Sequence, residues 1–230
     1  MGLERLLQHG HQPSHADSRG RLIGSARAYE FFGALFFGGL RGRAYDRLAA
    51  LSGARPGDRV LDVGCGTGLL TRRMARTVAP DGSAVGVDPS PSVLAYARDH
   101  TTEANCSYEE GVGQELGLPD ASVDVVVSCL ALHHVPEDQR QAAVREMHRV
   151  LRPGGRLMLA DFRPPRTRAA RRLVAGLTAH TMAYYRVELP ETLVADAGFR
   201  LRGRGDVRPW LRYVRAERPG DSPPGTSVEL

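Results

Sequence analysis

The sequence predicts an α/β fold: a doubly wound, mostly parallel sheet with helices on both faces and an antiparallel hairpin at its carboxyl end. Three observations carry that prediction. Strand-like and helix-like segments alternate from residue 59 to residue 162. Three glycines at alternate positions, Gly64, Gly66 and Gly68, separate the first strand from the first helix of that series. After Gly198 the pattern changes to two consecutive strand-like segments with no helix between them. Repeated alternation implies crossover units and hence a parallel sheet, whereas adjacent strands imply a hairpin.

Each element has a local reason. Val60, Leu61 and Val63 give a short apolar strand over 59–63. Leu70, Met74 and Val78 recur at helical spacing and predict a helix over 68–79. Val85-Gly86-Val87-Asp88 ends a second strand over 84–88, followed by a helix over 91–99 and a third strand over 105–109. The apolar run from Val123 predicts a fourth strand over 123–129. Pro136 before and Gly154-Gly155 after mark the limits of a helix over 137–151, whose Ala143, Met147, Val150 and Leu151 share one face. A fifth strand follows over 156–162. Pro190 to Ala197 reads as a helix stopped by Gly198, with Phe199–Val207 and Trp210–Arg218 as the hairpin strands and Trp210 as its packing anchor.

The glycine turn carries the chemistry. Glycine removes the Cβ atoms that would hold a ligand away from the backbone, and it permits positive φ. In a strand–turn–helix unit the ligand lies over the carboxyl end of the strand. A dinucleotide fingerprint, Gly-x-Gly-x-x-Gly, would need glycine at 69, where this chain has Leu69. A triphosphate-binding loop needs lysine, and all 31 Lys and Arg residues of the chain are arginine. Asp88, at the tip of the second strand, offers a carboxylate to ribose hydroxyls.

Residues 60–68, Val-Leu-Asp-Val-Gly-Cys-Gly-Thr-Gly, closely resemble the first motif of class I S-adenosylmethionine-dependent methyltransferases. Three later segments resemble the branch that contains the menaquinone and ubiquinone methyltransferases: Leu118 to Val126, Ala131 to Val135, and Glu146 to Gly155. The resemblance spans roughly residues 45–162, with a looser match through the hairpin, and implies a seven-stranded sheet and S-adenosylmethionine as cofactor. It places the cofactor against Asp62, Gly64, Cys65, Gly66, Gly68, Asp88, Pro89, Ser90, Gly111, Val112, Gly113 and Ser128. One departure stands out. The branch usually carries Gly-Asp-Ala where this chain has Gly111-Val112-Gly113, and the acid there bonds the adenine amino group. Either Gln114 or a backbone carbonyl substitutes, or the cofactor is held more weakly.

Methyl transfer from a sulfonium is an in-line displacement, so alignment supplies much of the rate. A phenol or alcohol acceptor also asks for a base, and histidine suits that task. His133 and His134, just past the fourth strand, are the catalytic candidates; the alternative is that they cap the turn or pack beneath the cofactor. Asp161, at the end of the fifth strand, is a further candidate. Phe162-Arg163-Pro164 adds no ligands beside it, so no metal is expected. Tyr29 and Phe32 in an aromatic run before the core, with His180 and Tyr184 ahead of the last helix, are the candidate acceptor-binding residues.

Composition narrows the rest. A chain of 230 residues with 42% hydrophobic content supports one domain, taken as 21–217 with a helical cap over 25–52 and disordered tails over 1–20 and 218–230. Three scattered cysteines form neither a disulfide framework nor a zinc pattern, which suits a reducing cytoplasm. The apolar stretch Phe31–Leu40 is too short for a membrane span, so no integral membrane association is expected. Five arginines within 163–172 lack interleaved aromatics, and no Asn/Asp-Pro-Pro-Tyr segment follows the fourth strand, so nucleic acid is not the expected partner.

The sequence thus predicts a cytoplasmic monomer or homodimer that methylates carbon or oxygen of a small aromatic, polyketide or quinone-like molecule. Two alternatives remain: a protein that binds S-adenosylmethionine, or uses it as a cyclase-like enzyme without methyl transfer, and a nicotinamide oxidoreductase. Leu69 and the hairpin argue against the second.

Overall fold

The computed structural model describes residues 37, 39–163 and 191–220. Both proposed tails (apart from residues 218–220), most of the helical cap, and Tyr29, Phe32, His180 and Tyr184 lie outside those residues. In chain order the elements are α1 (Arg41–Leu51), β1 (Arg59–Val63), α2 (Leu69–Val78), β2 (Ser83–Asp88), α3 (Pro91–Asp99), β3 (Cys106–Glu110), β4 (Val123–Cys129), α4 (Arg140–Val150), β5 (Leu151–Phe162), α5 (Glu191–Asp196), β6 (Arg200–Val207) and β7 (Leu211–Glu217). Seven strands form one sheet in the order β3-β2-β1-β4-β5-β7-β6. The first five are parallel, and β7 enters antiparallel between β5 and β6. The chain reverses direction in the sheet between β1 and β4, the switch point over which ligands bind in open α/β folds.

Side chains alternate across β1 with the two-residue period of a strand. Leu61 and Val63 join the core beneath α4 and α5, together with Val126, Leu157, Leu159 and Met147. Val60 joins the opposite core beneath α1 and α2, with Leu48, Met74, Val78, Val125 and Met158. The same alternation sends Asp62 to the α2 face, where Thr71 Oγ1 donates to it at 2.7 Å.

Two sequence expectations shift. The helix expected over 137–151 begins as a 3-10 turn at Glu137–Gln139 and becomes α-helical at Arg140. β5 starts at Leu151 rather than at 156, because Leu151 pairs with Val123 before the register shifts and resumes at Arg156. Gly154 and Gly155 therefore lie inside the strand instead of closing the helix. The carbonyls at the end of α4 are taken by Arg218, whose Nη1 donates to the oxygens of His148, Arg149 and Leu151. Trp210 sits in the β6–β7 connection, and its carbonyl accepts the Arg163 N–H at 2.6 Å.

Candidate functional site

A cavity opens at the carboxyl ends of β1, β2 and β4, on the α4 side of the sheet. Its floor is Val63, Gly64 and Gly66; Asp88 and Pro89 form one wall with the segment Gly111–Gln114; Ser128 and Leu130–Leu132 form the other. Ala143 and Met147 of α4 roof it, and His134 and Val135 close the far end.

The floor depends on backbone conformation. Gly64 has φ +72°, and a Cβ there would collide with the Ala131 side chain. Gly68, at φ +74°, begins α2 with its open side against the Tyr108 ring. Few side chains could adopt either conformation in that space. The turn is then clasped from β2. Val87 O accepts from the Gly64 and Cys65 N–H groups, and Asp88 Oδ2 accepts from Gly66 N–H at 3.0 Å. Asp88 Oδ1 accepts from Ser90 N–H at 3.0 Å. Burial raises the Asp88 carboxyl above its ordinary range, with the two backbone donors opposing the shift. A carboxylate has about four acceptor sites, so one donor on each oxygen leaves both able to take a ribose hydroxyl.

Of the residues the sequence proposed for the cofactor, Gly64, Gly66, Asp88, Pro89, Gly111, Val112, Gly113 and Ser128 line this cavity. Four do not, each for a physical reason. Asp62 faces α2 by strand alternation and is almost fully buried there. Cys65 is turned beneath the loop, so that a Cβ on Gly86 would come within 2.8 Å of its sulfur. Gly68 is filled from behind by Tyr108. Ser90 precedes α3, with its Oγ 3.1 Å from that of Ser92. These four shape the loop from below.

The histidines separate in the same way. His134 lines the cavity. His133 turns instead to β5, where its Nδ1 lies 2.8 Å from Asp161 Oδ1 and both side chains are buried, at 3% and 1% exposure. The two imidazoles are in contact at 4.1 Å between centroids, and Phe162 packs on His133 at 5.4 Å. Asp161 Oδ1 also accepts the Phe162 N–H, and Oδ2 is buried with no hydrogen-bond partner among the described residues. His133 therefore faces Asp161, and His134 is the member of the pair that lines the cavity.

Several wall residues gave no sequence signal. Leu130 has φ +58°, uncommon for a bulky side chain, and its N–H donates to Ala160 O at 2.9 Å. Ala131 is small because Gly64 approaches it. The 111–118 segment is stapled to α4: Glu146 Oε2 accepts the Leu116 N–H, and Arg149 donates to the Leu116 and Leu118 carbonyls and to Asp120. The Glu146-Met147-His148-Arg149 stretch marked the resemblance; its structural task is this staple and, through Met147, the roof.

The chain is similar to known proteins in sequence and in fold. Residues 60–155 match a family described as a methyltransferase domain. A ubiquinone/menaquinone biosynthesis C-methyltransferase from Ectopseudomonas mendocina is 38% identical over 145 residues, 61% of this chain and 56% of that protein. A 27-O-demethylrifamycin SV methyltransferase from Amycolatopsis mediterranei is 43% identical over 124 residues, 52% of this chain and 44% of that protein. The chain spans about half the length of these curated relatives. Among solved structures, an S-adenosylmethionine-dependent methyltransferase from Aquifex aeolicus superposes with a TM-score of 0.64 at 20% identity, covering 76% of this chain and 89% of that one. The [4+2]-cyclase SpnF gives 0.61 at 19% identity, covering 78% and 81%. The fold therefore hosts more than one reaction.

Proposed function

We propose that this chain is a class I S-adenosylmethionine-dependent methyltransferase of the ubiquinone/menaquinone branch that transfers a methyl group to oxygen or carbon of a small aromatic, polyketide or quinone-like acceptor. The observation that carries the reading is one cavity lined by both the Asp88 carboxylate with its clasped glycine turn and the His134 imidazole. Asp88 and the clasped glycine turn suit a ribose, and the walls from Val63, Leu130, Leu132 and Met147 suit an apolar ligand body. When bound, S-adenosylmethionine supplies a methyl group on an electron-poor sulfur, open to in-line attack.

The chain supplies the rest. Asp88 and Gly66 hold the ribose end, and Met147 and Leu132 keep water from the slot. The proton that a hydroxyl or enol acceptor loses is assigned to the histidine pair: His134 on the cavity wall, in ring contact with His133, whose Nδ1 lies 2.8 Å from Asp161 Oδ1. This pair favours an acceptor with a proton to give up, such as a hydroquinone, phenol or alcohol. His134, on the cavity wall beside it, contacts the bound ligands. Tyr29, Phe32, His180 and Tyr184 remain the proposed acceptor contacts. The three thiols are unbridged, in keeping with a reducing compartment.

The test has two stages. Calorimetry with S-adenosylhomocysteine should give saturable binding, whereas NADH should give none. Incubation with deuteromethyl S-adenosylmethionine and a panel of hydroquinones and polyketide phenols should then label a product by mass spectrometry. Binding without label on any acceptor would favour the cyclase-like or binding-only reading.

A further inference from the structure

We propose that the β6–β7 hairpin docks this protein onto an anionic bilayer surface, with the rim that bears the cavity turned toward the lipid. Residues 200–218 contain seven arginines and two acids, a net charge of +5. The whole chain also carries +5, so its other 24 arginines and 24 acids cancel. The fold puts this charge at one edge of the sheet, because β6 is the last strand in the order. At the opposite edge Glu109 and Glu110 of β3 are exposed, as is Asp99 at the end of α3. A molecule polarised in this way turns its hairpin toward a negative surface before contact.

The hairpin's own acids leave part of its charge uncompensated. Arg202 pairs with Glu217, Arg204 with Glu191, and Arg212 with Asp206. Arg218 is held by the carbonyls at the end of α4. Arg200, Arg208 and Arg215 have no acidic partner among the described residues. Arg215 also reaches outward. Although β7 is not the edge strand, the Arg215 guanidinium lies over Gly203 of β6, with Nη2 3.2 Å from where a Cβ would stand. Tyr213 crosses Gly205 in the same way. The two glycines open the path that these side chains take to the sheet edge.

The hairpin tip is Arg208-Pro209-Trp210. Leu211 pairs with Phe162, so the tip lies at the carboxyl end of β5, on the rim over which the cavity opens. At about 4.8 Å per strand it stands about 10–15 Å from the tip of β4. Tryptophan and arginine both suit a headgroup layer, since each joins an apolar body to a polar end. A strand-tracking nucleic-acid site would gather its arginines along one groove. Here the register puts Arg200 and Arg215 on the α1 face, Arg204 and Arg212 on the α4 face, and Arg208 at the tip. That distribution meets a charged plane edge-on. Docked so, the cavity rim faces a phase in which an apolar acceptor dissolves, and only this consequence rests on the acceptor reading above.

Trp210 is the only tryptophan of the chain, so its emission reports on the tip directly. The full chain is titrated with phosphatidylcholine vesicles with and without phosphatidylglycerol, and binding is read by co-sedimentation and by Trp210 emission. Only the anionic vesicles should bind, and added salt should release them. Emission of the bound protein should shift to the blue and be quenched by bromine-labelled lipid. A basic residue near an anionic surface contributes about fivefold in partitioning, so Arg200→Gln, Arg208→Gln and Arg215→Gln together should cost about ten- to hundredfold. The same charge removed as Arg55→Gln, Arg59→Gln and Arg145→Gln, at exposed positions away from the hairpin, should cost less than about threefold. No binding to anionic vesicles, equal losses in the two triple variants, or binding with Trp210 emission unchanged would each overturn the proposal. So would tighter binding to a single-stranded RNA than to vesicles, which assigns the hairpin to nucleic acid. Release by inorganic phosphate but not by chloride of equal ionic strength would assign the arginines to a soluble phosphate and overturn it equally. Vesicle binding is measured without cofactor or acceptor, so its failure leaves the methyl-transfer reading standing.

Discussion

The two halves of the cavity are built on different principles. Over β1 and β2 the wall is made by backbone: glycines at positive φ, amide N–H groups and one carboxylate that clasps them. Past β4 it is made by side chains, Leu130, Leu132 and His134 with Ala143 and Met147 of α4, and His133 pairs with Asp161 of β5 outside the lining. The first half is suited to a ligand that never changes. The second can vary its acceptor and its proton chemistry without disturbing the turn beneath. This separation implies that substitutions in one half leave the other half's property intact, and variants at three places, the His133–Asp161 pair, Asp88 and Asp62, test it.

The largest effect is expected at the histidine pair. His133→Ala breaks the proposed proton-accepting pair, and general-base contributions are typically about 10²–10⁴-fold in rate. Turnover should fall by that order while the affinity for S-adenosylhomocysteine stays within about twofold of wild type. Asp161→Asn keeps the shape and changes only the group facing His133 Nδ1, so its loss of turnover should be smaller. The measurement is steady-state kinetics beside calorimetry on the same preparations. A tenfold loss of cofactor affinity in His133→Ala would join the two halves and defeat the comparison.

Asp88→Ala should do the reverse. Its carboxylate is proposed to take the ribose hydroxyls, and hydrogen bonds to a charged group are worth about 1.5–3 kcal/mol, which gives a loss of about ten- to hundredfold in cofactor affinity. The structure adds a second consequence. Gly66 and Ser90 N–H groups also lose their acceptor, so the variant should melt below wild type. Turnover at saturating cofactor should change far less than affinity. Unchanged affinity would remove Asp88 from the ribose site.

What the sequence made legible follows the same division. Gly64, Gly66 and Asp88 were readable because backbone conformation constrains residue identity: few side chains tolerate the position of Gly64 against Ala131. The parallel strands and the hairpin were readable from periodicity, and the sheet order confirmed both. The pairing of His133 with Asp161 was not, since no local pattern records which strand tips become neighbours. Leu130 at positive φ breaks the preference of its type and so left no trace. Asp62 and Cys65 were read into the cavity because they lie within the motif. Strand alternation and the turn of the loop direct them into the protein instead.

The smallest of the three effects concerns that buried Asp62. Burial raises its carboxyl from 3.8 to about 7, with the Thr71 hydroxyl opposing the shift and Asp88 reinforcing it. A carboxyl raised in the folded state binds a proton that the unfolded chain has released. Stability therefore falls as pH rises from about 4 to about 7 and levels off above that. Asp62→Asn carries no such charge and can still accept from Thr71 Oγ1. At pH 4 the variant should melt close to wild type. At pH 8 it should be more stable, by at most about 4 kcal/mol from the shift alone and by about 1–2 kcal/mol once water entry and relaxation are allowed for. Thermal melts at the two pH values measure the difference, and effects of other titrating groups largely cancel between the paired proteins. A gap that does not widen with pH would mean Asp62 is ionised at no cost, supported by the loop it underlies. Cofactor affinity at pH 8 should stay near wild type, because the residue faces α2 and lies behind the cavity floor. A large loss there would make the floor and its support a single unit, and would return Asp62 to the site.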